Sequence, residues 1–281
     1  MVKARINHIR EYIRQRKVDA FVLVNHELSG QPATRYVSGF SGTESVLVIT
    51  KHKQLIIADG RYYTQAGQEA GYFTLVKRES KSLPARGGQA RWLDSLFQRE
   101  KIKTILIDGS HTHYSFVENL KRSVKVQIKN DPELLHQIRI VKDSEEIKYL
   151  QKAADISVAV FKKLLPLIKP GVTELWLAAQ LELLMREAGS GALPEAGKLA
   201  FDPIVASGKN GARPHAKPTN KKIKKGELIT FDFGASYNGY MSDITRTIGI
   251  GKLSPKLMEI YEIVQQSQQL GCEVAKAGIT G

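Results

Sequence analysis

A single dipeptide constrains this chain more than any other feature. Asn238-Gly239 stands between two β-type runs, residues 228–233 and 240–248. Asn-Gly favours a type I′ turn, whose two central residues need positive φ, so the pair predicts a tight antiparallel hairpin. With the turn placed there, opposed residue numbers sum to 477, and Asp232 faces Thr245 while Gly234 faces Asp243. Strand alternation then puts Asp243 and Thr245 on one face, with Asp232 diagonal to Asp243 on that same face. A slip of one residue would separate them. Two carboxylates on one sheet face repel each other unless something positive lies between. Either one aspartate caps a turn while the other pairs with Arg246 or a lysine, or the two share a divalent metal or a metal pair, whose ions lie roughly 3.5–4 Å apart.

The surrounding text favours the metal. Ile204-Val205-Ala206-Ser207-Gly208 and Pro214-His215 precede the hairpin, and Asp232-Phe233-Gly234 and Ser242-Asp243-Ile244-Thr245-Arg246-Thr247 lie within it. Asp232 follows His215 by 17 residues, and Asp243 follows Asp232 by 11. In order and spacing these motifs closely resemble the pita-bread metallopeptidases, the group containing aminopeptidase P, prolidase, methionine aminopeptidase and creatinase. The resemblance implies that Asp232 binds one ion and that Asp243 bridges two. It implies that His215 is no ligand but holds the substrate or the transition-state oxygen, and that Thr245 hydrogen-bonds an aspartate or the attacking water. Oxygen-rich ligation of this kind suits Mn²⁺ first, with Co²⁺ or Zn²⁺ as alternatives. The implied activity is a proline-specific metallopeptidase, an Xaa-Pro aminopeptidase or Xaa-Pro dipeptidase, that cleaves before proline with a metal-activated water.

Two domains are the natural expectation for 281 residues. In the first, segments at 4–17, 61–70, 90–100 and 115–122 read as helices, and segments at 20–24, 45–50, 55–58, 73–76, 104–108 and 124–129 as strands. This alternation predicts an α/β domain over residues 1–134. Its Arg35-Tyr36-Val37-Ser38-Gly39-Phe40-Ser41-Gly42 and Asp59-Gly60-Arg61-Tyr62-Tyr63-Thr64-Gln65-Ala66 resemble the N-terminal domain of creatinase, prolidase and aminopeptidase P. Methionine aminopeptidase lacks that domain, so this half narrows the resemblance.

Residues 131–142 read as a linker, and 135–281 as the first half of an α+β pita-bread catalytic domain. Asp143 and Glu146 predict the start of a long helix with an apolar face at Ile147, Leu150, Ala154, Val158, Phe161 and Leu165. Pro170-Gly171 ends it, Thr173 opens a second helix to about Ala188, and residues 189–197 form a glycine-rich connection. A last helix covers 255–275. The stretch 162–173 is echoed faintly by 273–280, as a fold of two similar halves would require. By resemblance the second half supplies one more histidine and two glutamates. Here no histidine follows Asp243, and the later acids, Glu259, Glu262 and Glu273, lie in the last helix. The expectation is therefore a C-terminally truncated chain that is inactive as given, or alternatively a non-catalytic binding module derived from the same fold. Creatinase uses no metal, so the paired aspartates argue against its chemistry.

The net charge of +14 is concentrated in the first half, with 24 basic against 13 acidic residues through Lys142. These charges are scattered, with no aromatic interleaving, and read as a solvated face rather than a nucleic-acid surface. A lysine cluster at Lys217, Lys221, Lys222, Lys224 and Lys225 reads as a solvated loop. One cysteine, Cys272, excludes an internal disulfide and fits a reducing compartment. Arginines and lysines interrupt residues 1–18, which excludes a signal peptide there, and no apolar run approaches the ~20 residues of a membrane span. The expected setting is the cytoplasm, with a proline-containing peptide as substrate and, from the resemblance, a homodimer.

Overall fold

The computed structural model describes residues 1–27, 32–78, 88–191 and 199–281, with residues 88–91 described by backbone alone. Most of the glycine-rich connection at 189–197 lies outside them. The chain divides into two compact units, Met1–Glu145 and Glu146–Gly281.

The first unit alternates helices and strands: α1 (Val2–Gln15), β1 (Ala20–Asn25), α2 (Pro32–Ser38), β2 (Ser45–Thr50), β3 (Gln54–Ala58), α3 (Tyr63–Glu69), β4 (Thr74–Lys77), α4 (Gly88–Arg99), β5 (Thr104–Ile107), α5 (Tyr114–Ser123), β6 (Gln127–Asn130) and α6 (Leu134–Ile140). The strands form one sheet in the order β4-β3-β2-β1-β5-β6. β2 runs antiparallel to both neighbours, while the β3–β4, β1–β5 and β5–β6 pairs are parallel. Alternation feeds two cores. Phe21, Leu23, Leu47, Ile49 and Ile56 join α1 through Ile6, Ile9 and Ile13 on one face. Val22, Val46, Val48, Leu55 and Ile57 meet Leu93, Phe97 and Leu120 on the other. Strands buried on both faces explain the nearly continuous apolar runs.

The segment read as a linker contains α6. Leu134 and Leu135 are buried in the first core, so the unit extends past residue 134. Arg5, itself buried, donates to Tyr36 O and to Asp143 Oδ2 at 2.9 and 2.7 Å. Asp143 Oδ1 accepts from Glu145 N at 3.0 Å, as a helix-starting aspartate should.

The second unit contains α7 (Ser144–Leu164), α8 (Glu174–Glu187), β7 (Ile204–Ser207), β8 (Leu228–Phe233), the two-residue strands β9 (Ser236–Tyr237) and β10 (Tyr240–Met241), β11 (Ile244–Gly249) and α9 (Pro255–Val274). β8 lies between β11 and β7, antiparallel to each. Its odd-numbered residues, Ile229, Phe231 and Phe233, are fully buried with Val160 and Leu164 of α7 and with Leu177 and Leu181 of α8. Phe161 stacks on Phe233 and meets Phe231 edge-on, both at 5.6 Å between centroids. Helices therefore cover one face of the sheet, and the even-numbered residues of β8, Asp232 among them, point to the opposite face.

The apolar stripe expected on α7 is corrected. Ile147, Val158 and Leu165 are 56, 42 and 43% exposed, whereas Glu146, Ala153, Ile156, Ser157, Val160 and Leu164 are buried. Apolar residues lie on more than one side of this helix, and the buried stripe includes two polar residues that have partners. The Tyr240 hydroxyl donates to Glu146 Oε1 at 3.0 Å, and Ser157 faces the hairpin.

Candidate functional site

The hairpin has the register expected from Asn238-Gly239. Both residues carry positive φ, 52° and 80°, and Tyr237 pairs with Tyr240. Thr245 lies opposite Asp232 and Thr247 opposite Thr230, whose hydroxyls are 3.1 Å apart. The ribbon is not continuous, because pairing breaks at Gly234-Ala235 on one side and Ser242-Asp243 on the other. There Ser242 N donates to Ala235 O at 2.9 Å. Gly234 is packed so closely that a Cβ would stand 1.8 Å from Ser242 O.

Ser157 of α7 holds this break. Its hydroxyl lies 2.8 Å from the Ser242 hydroxyl, and Ala235 N donates to both, at 3.1 and 3.0 Å. The Ser242 hydroxyl also reaches Ala153 O at 3.1 Å. Ser242 is thus pinned to the helix, and Asp243 follows it directly. Sequence reasoning placed Ser242 in a motif but passed over Ser157. The available signal was a polar residue at helical spacing between Ala153 and Val160.

Asp232, Asp243, Thr245 and His215 come together electrostatically at Asp232. Burial, and then the charge of Asp243, push the Asp232 carboxyl above its ordinary range; a hydrogen bond from Thr245 and the charge of His215 oppose that rise. Asp232 Oδ1 is shut off from solvent and has no hydrogen-bond partner among the described residues. Asp243, Thr245 and His215 are exposed. His215 sits in the loop after the 3₁₀ turn Gly208–Ala212, which begins where β7 ends. Of the lysine cluster, Lys221 departs from a solvated loop: its ammonium pairs with Glu227 at 2.7 Å and donates to Ser207 Oγ at 2.8 Å.

An orphaned carboxylate oxygen beside a second carboxylate suits a hard or borderline cation, which would supply the missing partner. The two aspartates fit as part of such a centre. Among the described residues, no group of three His, Cys, Asp or Glu side chains is placed to hold a metal ion.

Comparison with known proteins defines the class. Residues 148–281 match metallopeptidase family M24, and residues 5–141 match the creatinase/prolidase N-terminal domain. The chain is 33% identical over 279 residues to an uncharacterized peptidase of Bacillus subtilis, covering 99% of this chain and 74% of that protein. Among solved structures it is similar to an Xaa-Pro dipeptidase from Bacillus anthracis, with a TM-score of 0.89 and 33% identity over 100% of this chain and 74% of the other. It is also similar to an X-Pro aminopeptidase from Thermotoga maritima, with a TM-score of 0.84 and 35% identity over 94% and 72%. The second unit is accordingly of the pita-bread type and the first of the creatinase N-terminal type. The chain belongs to metallopeptidase family M24, and is by family an enzyme.

Proposed function

We propose that this protein is a proline-specific peptidase, an Xaa-Pro aminopeptidase or Xaa-Pro dipeptidase, with Asp232 and Asp243 as ligands of its metal centre. The observation that carries the reading is the Asp232 carboxyl, whose Oδ1 is buried without a hydrogen-bond partner and whose charged form is opposed by the neighbouring Asp243. Similarity to the Bacillus anthracis Xaa-Pro dipeptidase and the Thermotoga maritima X-Pro aminopeptidase supports the choice of peptides containing proline. When bound, divalent cations, Mn²⁺ foremost and Co²⁺ or Zn²⁺ otherwise, would polarise the scissile carbonyl and lower the pKa of water. Thr245, opposite Asp232 across the hairpin, is placed to orient its carboxylate. His215, exposed in the loop after β7, offers its imidazole to the substrate carbonyl or the oxyanion that develops from it.

In this reading the 281 residues alone do not turn over peptide. Two carboxylates leave a dinuclear centre short of ligands, and catalysis needs a preorganised one. The reading extends to a homodimer acting in the cytoplasm, a setting consistent with the single free cysteine.

A chimera tests it. The part of the Bacillus anthracis enzyme beyond its matched 74% is fused after Gly281, and Xaa-Pro dipeptides and longer Xaa-Pro peptides are assayed with Mn²⁺. Cleavage before proline that disappears in Asp243→Ala is expected, and substrate length separates the two activities. Cleavage indifferent to proline, or to Asp243, would overturn the reading. Turnover of about 1–10³ s⁻¹ by the unfused chain would overturn its inactivity.

A further inference from the structure

The loop that carries His215 is held at both ends by one buried carboxylate. Glu174, the first residue of α8, is 0% exposed. Its Oε1 accepts from Ser207 N and Ser207 Oγ, each at 2.7 Å. Its Oε2 accepts from Thr219 N at 3.2 Å and Thr219 Oγ1 at 2.6 Å. Asn210 Nδ2 lies 3.1 and 3.0 Å from the two oxygens. Ser207 and Asn210 enter the loop, and Thr219 leaves it four residues after His215. Arg213 Nη2 donates to Asn210 Oδ1 at 2.9 Å, so the arrangement reaches to within two residues of His215.

A buried carboxylate is unfavourable unless its oxygens are satisfied. The start of α8 does not need it as a cap, because Thr173 Oγ1 already accepts from Trp176 N at 3.1 Å. The side-chain donors that satisfy Glu174 all come from the loop or its two ends. The backbone repeats the connection, with Leu175 N donating to Thr219 O at 2.9 Å and Glu174 N to Lys221 O at 3.2 Å. The Lys221 ammonium, paired with Glu227, also donates to Ser207 Oγ at 2.8 Å and so holds the same end of the loop.

We propose that Glu174 is the positioning residue for His215: it closes the 207–219 loop and sets where the imidazole stands relative to Asp232 and Asp243. The proposal rests on the reading of His215 as the group that meets substrate, and it names what holds that group in place. Glu174 touches no reacting atom.

The test uses the 281-residue chain and two readouts that do not pass through turnover. Hydrogen exchange reports the loop amides, and histidine labelled at Cε1 reports the imidazoles, with His215 assigned among the seven histidines by His215→Gln. In Glu174→Gln, exchange across 208–219 is expected to rise by at least about tenfold. The His215 signal should shift or broaden while the other six histidines stay as they are, and the rise across 208–219 should exceed the uniform rise that a lower stability of the unit brings to the amides of β8 and β11. Thr219→Val removes one donor and keeps the carboxylate, and should move the same two readouts in the same direction by less. It carries the test if Glu174→Gln does not fold. An unmoved loop and an unmoved His215 in the folded variants would overturn the proposal, as would a rise in exchange spread evenly over the unit, which marks a purely structural role. A chimera that fails to cleave before proline would overturn the peptidase reading and leave these two results standing.

Discussion

Two carboxylates in the second unit are perturbed in opposite directions, and each direction predicts a pH dependence. Asp232 is held above its ordinary range by burial and by Asp243, so folding favours its protonated form. The stability tied to that form is present at acid pH and lost as pH rises through the folded pKa. Asp232→Asn, which never ionises, should therefore raise the melting temperature of the metal-free chain at pH 7, with about 2–4 °C for each kcal/mol in a chain of this size. Near pH 3 it should make little difference. Added Mn²⁺ should raise the wild-type melting temperature by mass action and leave Asp232→Asn unmoved; an equal metal response in both proteins would remove Asp232 from the centre. For Glu174, burial alone would raise the pKa, but hydrogen bonds from Thr219, Ser207 and Asn210 outweigh it and hold the carboxyl low. Its stabilisation is present above the ordinary glutamate pKa and lost as pH falls through the depressed folded value. Glu174→Gln should destabilise the second unit at pH 7 by about 2–3 kcal/mol and flatten the acid limb of its stability curve. A parallel acid limb in mutant and wild type would count against an ionised Glu174.

At the scale of the element, the hairpin is a site because it is broken in one place. A regular ribbon through 234–235 and 242–243 would leave Ser242 free of α7, and Asp243 would lose its anchor. The break depends on Gly234, since an added Cβ would meet the backbone oxygen of Ser242 at 1.8 Å and the Ala200 methyl at 2.9 Å. A backbone oxygen has no rotamer by which to move aside. Gly234→Ala should cost about 3 kcal/mol or more in denaturant unfolding of the second unit and abolish the Mn²⁺-dependent shift. Ser157→Ala leaves Ala235 N its bond to Ser242 Oγ, so a smaller loss of about 1 kcal/mol is expected. A Gly234→Ala protein as stable as wild type would mean that the two strands separate easily at the break, contrary to the packing described.

At the scale of the molecule, the two units differ in how they enclose apolar surface. The sheet of the first has a buried cluster on each face. In the second, α9 has no buried residue, and Ile260, Ile263, Val264 and Leu270 are 43–62% exposed. β11 has a single strand neighbour, β8, among the described residues. Exposed apolar surface and an open strand edge both favour association. Size-exclusion chromatography of the 281-residue chain should show concentration-dependent association that weakens in Ile263→Glu, and limited proteolysis should cut α9 before the first unit. A monodisperse monomer with a protease-resistant α9 would contradict this. No described helix is long and apolar enough to cross a membrane.

The sequence alone determined the features that arise within a few residues of one another. Asn238-Gly239 demands positive φ, and from that turn follow the register and the pairing of Asp232 with Thr245, whereas Asp243 stands at the break that Ser242 and Ser157 hold. Thr173 caps α8 and Ser254 caps α9 for equally local reasons. The alternating helices and strands of the first unit were legible because its four central strands are apolar runs bounded by polar turns. Other features were decided only by tertiary structure. The buried stripe of α7 turns away from Ile147 and Val158 because Glu146 and Ser157 find partners on the hairpin, more than 80 residues on. The short helix α6 is ordered by packing of Leu134 and Leu135 that a linker-like composition conceals. Glu174 becomes the anchor of the His215 loop through residues 33 to 45 positions away. Propensity and periodicity act over one or two turns of chain, whereas a buried polar group is stabilised by whichever donors the fold brings to it, and their identity depends on the assembled structure.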